Sequence, residues 1–210
     1  MGNSSPSVHK MKIVGFLHEG FQEYEDHISV VLFSLGCNLK CVGCYNYDRI
    51  SDPDSVMGDA VEMIDRLITP LHDAVVFLGG EPTIWPEGLV EACRYAKSKG
   101  LLTKVYTNGY SPSVVRDLNE ESLVDAYSVD LKAVANVGLI LGKSISADEY
   151  LTAVNDTVDD ILLHKIPMEI RTTAWNEFPD ISAVKSYVHD KYPGVRHIIQ
   201  KDFRENLPAE

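Results

Sequence analysis

Three cysteines fall within eight residues, in the segment Cys37-Asn38-Leu39-Lys40-Cys41-Val42-Gly43-Cys44. Thiolates are soft ligands, and the Cys-x-x-x-Cys-x-x-Cys spacing lets all three converge on one metal centre. A [4Fe–4S] cubane held by three thiolates keeps one iron without a protein ligand. That open position accepts a small molecule through adjacent amine and carboxylate groups, and the reduced cluster can pass it an electron. The competing chemistry is structural zinc, which takes four protein ligands, commonly as two short cysteine pairs. Only one such pair occurs, and the fourth cysteine, Cys93, lies about fifty residues away in a predicted helix. Cys93 is expected to pack as a small buried apolar residue. The spacing therefore favours the cluster, with a non-enzymatic zinc-binding module as the alternative.

The elements that must position these cysteines alternate in type. Residues 8–14 read as a short edge strand, and a polar stretch at 18–27 leads into the β-branched strand 28–35, directly before the cysteines. Further strands are expected at 74–78, 101–107, 124–131, 167–173 and 195–200, and helices at 54–68, 87–99, 112–118, 146–164 and 181–191. Gly100 is a stop signal, Ser111 a candidate N-cap, and Ser146-x-x-Glu149 a capping box. Residues 133–143 read as an irregular loop over the site. Six strands alternating with five helices predict a single-domain α/β fold, a partial (β/α)6 barrel with a parallel sheet.

Each strand carries polar residues at its C-terminal end: the cysteines, Gly79-Gly80-Glu81, Thr107-Asn108, Asp130 and Lys132, Arg171 and Thr172, and Gln200. In a β/α barrel that edge holds the active site. Taken singly, these residues have plainer readings: a Gly-Gly turn, an edge ion pair, an Asn-Gly turn, an arginine capping a helix. His72 and His164 read as solvated or helix-surface histidines.

The chain of 210 residues has a net charge of −12, which argues against nonspecific nucleic-acid binding and against anionic membrane surfaces. No apolar run is long enough to span a bilayer. Residues 1–10 lack a signal peptide's apolar stretch and read as a disordered leader, with 11–210 as the folded domain. Pro6 stands where a myristoylation signal after Gly2 needs Ser or Thr. Four clustered cysteines do not make a disulfide framework, so a reducing cytoplasm is expected. Nothing suggests an obligate interface, and a monomer is expected.

The cysteine string, followed by Tyr45 and Asn46, resembles the signature of radical S-adenosylmethionine enzymes, and the resemblance runs over nearly all of the chain after residue 11. Gly79-Gly80-Glu81-Pro82 resembles that family's glycine-glycine-glutamate motif. Thr107-Asn108-Gly109 and Asp130-Leu131-Lys132 sit as they do in glycyl-radical-enzyme activating enzymes. The nearest resemblance is to the anaerobic ribonucleoside-triphosphate reductase activating proteins, related to the pyruvate formate-lyase activating enzyme. The Cys-Tyr-Asn ending, in place of Cys-His-Asn, leans towards these reductase activators.

The resemblance implies that Cys37, Cys41 and Cys44 ligate a [4Fe–4S] cluster. Gly79, Gly80 and Glu81 would hold the methionyl amino group of S-adenosylmethionine. Asp130, Lys132 and Arg171 would serve its ribose and carboxylate, Tyr45 its adenine, and Thr107 and Asn108 the pocket floor, with Asn46 completing the cysteine motif. The implied activity is activation of a glycyl-radical enzyme, an anaerobic ribonucleotide reductase first, with reduced flavodoxin or ferredoxin as electron donor. A small-molecule enzyme of the 7-carboxy-7-deazaguanine synthase type, or a peptide modifier, is the alternative with the same cofactor. One departure is Tyr106, which stands where the pyruvate formate-lyase activating enzyme has an acid that helps bind a monovalent cation.

Overall fold

The computed structural model describes residues 10–174 and 180–201. Its strands are β1 (Lys12–Gly20), β2 (Ser29–Ser34), β3 (Gly58–Asp59), β4 (Ala74–Gly79), β5 (Leu102–Thr107), β6 (Ala126–Asp130), β7 (Met168–Ala174) and β8 (Arg196–Lys201). They form one sheet in the order β3-β1-β2-β4-β5-β6-β7-β8. Every pairing from β2 through β8 is parallel, and β1 runs antiparallel to both β2 and β3. The strand order has two ends, so the six parallel strands make the expected partial barrel and leave it open.

The helices are α1 (Tyr47–Ser51), α2 (Ala60–Leu67), α3 (Pro86–Ser98), α4 (Pro112–Glu120), α5 (Val137–Leu141), α6 (Ala147–Leu163) and α7 (Ile181–Lys191). Strand alternation decides which side chains meet them. Val105, Tyr127, Val129 and Ile170 join the apolar core on one face of the sheet. Lys104, Tyr106, Asp130, Glu169 and Arg171, from the alternate positions, line cavities on the other. A polar inner face is therefore built into strands whose outer face is apolar.

Four local expectations change. The first strand starts at Lys12, runs into the polar stretch as far as Gly20, and is not an edge, because β3 pairs outside it. The helix expected over 54–68 begins only at Ala60, where the Asp59 carboxylate accepts the Glu62 amide at 3.0 Å. Before it, Pro53–Ser55 forms a 3-10 turn, and Val56 and Met57 face solvent instead of continuing the helix face. Residues 133–143 contain α5, whose Val137, Ile140 and Leu141 are buried. His72 is buried, with Nδ1 bonded to the Thr69 amide and Nε2 to the His18 carbonyl at 2.7 Å.

Of the expected leader, only Lys10 is among the described residues, and its Nζ pairs with Asp59 at 3.0 Å. Residues 1–9, and the end of the expected domain at 202–210, lie outside the described residues. Among the described residues no helix is long and apolar enough to cross a membrane.

Candidate active site

A cavity of about 430 Å³ opens at the carboxyl ends of the parallel strands. Its wall gathers Cys37, Cys41, Cys44, Tyr45, Gly79, Gly80, Glu81, Thr107, Asn108, Asp130, Lys132 and Arg171. Of the expected residues, Asn46 and Thr172 are outside this lining; Thr172 is buried and donates to Leu131 O at 2.9 Å. The Asn46 carbonyl accepts the Ile50 amide and starts α1. Gln22 and Glu23, from the β1–β2 loop, also line the cavity, and no motif in the sequence marks them.

Close approach of two backbones explains the paired glycines. A Cβ on Gly80 would lie 1.8 Å from the Gly36 carbonyl oxygen, and one on Gly79, at φ +110°, 2.5 Å from Phe33 Cα. Without side chains, the end of β4 stitches to the root of the cysteine loop. Gly80 N donates to Ser34 O at 3.0 Å and Glu81 N to Gly36 O at 2.8 Å.

Glu81 is buried and its carboxylate is fully used. Oε1 accepts from Thr83 N, Thr83 Oγ1 and Thr107 Oγ1, and Oε2 accepts from Asn108 N at 2.7 Å. Burial pushes this carboxyl above the usual range, although the four donors pull the other way. Asn108 Nδ2 in turn donates to Asn38 Oδ1 at 2.7 Å and approaches Cys37 Sγ at 3.8 Å. Ser111 stands at the N-cap of α4, but its side chain caps nothing; its Oγ faces Asn38 Nδ2 at 3.5 Å.

In the same cavity, Lys132 Nζ pairs with Asp130 at 2.7 Å. Burial opposes the ammonium, but Asp130 and Cys41 outweigh it and hold the Lys132 pKa above the ordinary lysine range. The buried Tyr150 of α6 clamps this segment, accepting from Lys132 N at 3.0 Å and donating to Asp130 O at 3.2 Å.

Deeper in the barrel, Arg171 Nη1 donates to Glu169 and to Tyr106 Oη, each at 3.2 Å, and Tyr106 Oη donates to Glu23 O at 2.8 Å. The position that departs from the family pattern thus holds an internal phenol–guanidinium contact. Burial pushes the Tyr106 phenol up to about 12. Arg171 caps no helix. Lys104 also pairs with Glu169 at 3.2 Å.

Burial makes Cys37 and Cys41 poor free nucleophiles. Burial, with the Glu81 charge adding, pushes Cys37 up to about 12, and burial also raises Cys41. Such thiols stay protonated until a metal displaces the proton. Among the described residues, no three Cys, His, Asp or Glu side chains are gathered tightly enough for a single metal ion. A multi-iron cluster takes one thiolate per iron and tolerates wider spacing, so this donor set fits a [4Fe–4S] group. Cys93 is fully buried in α3 and cannot complete a four-cysteine zinc site.

The radical SAM superfamily model matches residues 31–159. A protein of Methanocaldococcus jannaschii named as a glycyl-radical enzyme activating enzyme is 36% identical over 124 residues, 59% of this chain and 51% of its own length. The pyruvate formate-lyase-activating enzyme of Clostridium pasteurianum is 30% identical over 138 residues, 61% of this chain and 57% of its own. A 7-carboxy-7-deazaguanine synthase of Methanothermobacter thermautotrophicus is 29% identical over 128 residues, covering 59% and 49%. The chain spans about half the length of the curated relatives it matches. Among solved structures, native anSMEcpe with bound AdoMet shares the fold, with a TM-score of 0.56 at 22% identity over 79% of this chain and 48% of that one. With the family model covering more than half of the sequence, the chain belongs to the radical S-adenosylmethionine superfamily, whose enzymes use a [4Fe–4S] cluster and S-adenosylmethionine.

Proposed function

We propose that the protein is an activase that generates a glycyl radical on a partner enzyme, an anaerobic ribonucleotide reductase being the first candidate. The reading rests on one juxtaposition: three cysteines, the Gly79-Gly80 turn and the Asp130–Lys132 pair lining one cavity. Similarity to two activating enzymes supports a glycyl-radical enzyme as the substrate.

In this reading Cys37, Cys41 and Cys44 hold the cluster. When bound, the cluster supplies one electron to the sulfonium of S-adenosylmethionine, giving methionine and a 5′-deoxyadenosyl radical. The chain's own residues bind and orient. Lys132, kept charged beside Asp130, counters the methionyl carboxylate, with Arg171 deeper in the same cavity. The Gly79 and Gly80 carbonyls serve the methionyl ammonium, while Glu81, its carboxylate already taken by four donors, fixes the loop that carries Thr107 and Asn108. Tyr45 lies at the adenine side.

Mixing the reduced protein, S-adenosylmethionine and the reductase tests the reading, with reduced flavodoxin or ferredoxin as the physiological electron source. A glycyl-radical doublet in the EPR spectrum is expected; cofactor cleavage without one rejects the partner. Similarity to a 7-carboxy-7-deazaguanine synthase supports a second reading, a small-molecule ring contraction. Formation of 7-carboxy-7-deazaguanine from the pterin substrate, detected by mass spectrometry, would select it.

A further inference from the structure

The cysteine loop and the segment that carries Lys132 lie far apart in sequence, yet one stretch, residues 140–150, holds both. At its start, the carbonyls of Ile140 and Leu141 in α5 accept the amides of Val42 at 2.8 Å and Lys40 at 2.9 Å, the two residues that flank Cys41. Backbone meets backbone there, and Gly142, at φ +61°, permits it, since a Cβ would lie 2.1 Å from Lys40 O. Next along the chain, the Ser146 side chain accepts the Glu149 amide at 3.0 Å and fixes the start of α6. At the end of the stretch stands Tyr150, in the first turn of α6 and fully buried.

Tyr150 Oη accepts Lys132 N at 3.0 Å and donates to Asp130 O at 3.2 Å, the backbone groups on either side of Leu131. The polar groups of Leu131 itself are held by β7: its amide donates to Arg171 O and its carbonyl accepts the Thr172 hydroxyl, each at 2.9 Å. Removing the phenol oxygen would therefore free Asp130 O and Lys132 N and leave Leu131 tied to the sheet. Those two residues carry the cavity's ion pair, Lys132 Nζ on Asp130 at 2.7 Å. A phenylalanine ring would fill the same space in the core. What the hydroxyl adds is the placement of the backbone that bears Lys132.

A ligand that meets a metal centre at the cysteine loop and offers an anionic group to Lys132 must span the gap between Cys41 and Lys132, which line the same cavity. The brace over 140–150 sets that gap. We propose that Tyr150 is a positioning residue for S-adenosylmethionine: its hydroxyl holds the Asp130–Lys132 backbone against the cysteine loop, so that the Lys132 ammonium meets the methionyl carboxylate. This role rests on the reading of Lys132 above as the partner of that carboxylate. Tyr150 does not line the cavity, so it acts only through the segment it holds.

The test measures S-adenosylmethionine binding by calorimetry on the anaerobically reconstituted full chain, with the cluster left oxidised so that no turnover occurs. Tyr150→Phe should raise Kd about fivefold, the equivalent of a lost hydrogen bond. Asn155→Ala, farther along α6, removes the acceptor of the Tyr187 and Tyr192 hydroxyls and controls for weakened packing of the helix. Its Kd should stay within about twofold of wild type, as for an independent site. In a Lys132→Met background, Tyr150→Phe should change Kd by less than about twofold, because the group it positions is gone. A Tyr150→Phe Kd equal to wild type overturns the positioning role. So does a rise that persists in the Lys132→Met background or appears equally in Asn155→Ala. A Lys132→Met protein that binds like wild type would instead overturn the assignment of Lys132 to the carboxylate.

Discussion

The carboxylate of Glu81 accepts the backbone amide of Asn108 at 2.7 Å, tying the end of β4 to the end of β5. The Asn108 side chain passes the constraint on to Asn38 and Cys37. Two motifs that look independent in the sequence are thus one bonded unit, and that unit sets the wall facing the cysteine loop.

Replacing Glu81 tests the joint. In Glu81→Gln one carboxylate oxygen becomes an NH2 facing a donor, which should cost about 2–3 kcal/mol, against about 1 kcal/mol for Thr83→Val, which removes one bond to that carboxylate. Thermal unfolding of the metal-free chain should show Tm falling by about 5–10 °C for Glu81→Gln and by less than half of that for Thr83→Val. Equal losses would contradict the joint.

Gly80→Ala places a methyl group where the Gly36 carbonyl already stands. Because the obstacle is backbone, the loop must move, at a cost of about 3 kcal/mol. Iron and sulfide uptake on anaerobic reconstitution should drop, although no cysteine has changed. Uptake equal to wild type would show that the cysteine loop does not depend on this contact.

Much of this was legible because each strand end carries its polar residues in a short run. The cysteines, Gly79-Gly80-Glu81 and Asp130-Leu131-Lys132 can each be read from adjacent positions, and all reach one cavity. What was not legible depends on register between distant strands. Lys104, Ser128 and Glu169 meet only because β5, β6 and β7 align Tyr106 with Ser128 and Ser128 with Glu169. The α5 segment reads as a loop because four apolar residues interrupted by Gly138 and closed by Gly142 are too short a run to show a helical period. Gly58–Asp59 interrupts the helix expected over 54–68 because pairing with β1 outcompetes the helical spacing of Val56 and Met57.

Glu169 gives the barrel interior a pH dependence. Burial pushes its carboxyl up, but the Ser128 hydroxyl and the Lys104 and Arg171 cations outweigh this and lower its pKa, while burial presses Lys104 towards neutrality. The carboxylate is the better compensated partner, since Lys104 and Arg171 flank it closely and Arg196 stands at 3.9 Å. A lowered carboxyl adds stability that is present above its unfolded pKa, ~4.3, and is lost as pH falls through the folded value. Glu169→Gln should therefore lose about 3 kcal/mol near neutral pH, where two buried cations lose their shared anion. The deficit should shrink below about pH 4, because the wild type loses the same contribution there. Urea unfolding of the metal-free chain across that range checks it; a deficit constant with pH would contradict the assignment.

Lys132 is placed to meet an anionic group in the cavity. Removing its charge with Lys132→Met should weaken S-adenosylmethionine binding by roughly tenfold or more, as for a charge-assisted hydrogen bond worth about 1.5–3 kcal/mol. Calorimetry on the reconstituted protein measures this, and an unchanged Kd would confine Lys132 to its pairing with Asp130.

The most direct measurement is 5′-deoxyadenosine formed from S-adenosylmethionine by the anaerobically reconstituted, dithionite-reduced protein, compared with Cys41→Ala treated identically. Wild type should bind about four irons per chain and release 5′-deoxyadenosine. Cys41→Ala, whose side chain lines the cavity without filling the core, should stay folded and release none. A wild-type protein that binds the iron yet releases no 5′-deoxyadenosine, or a Cys41→Ala variant that releases as much as wild type, would contradict the assignment of this cavity to radical chemistry.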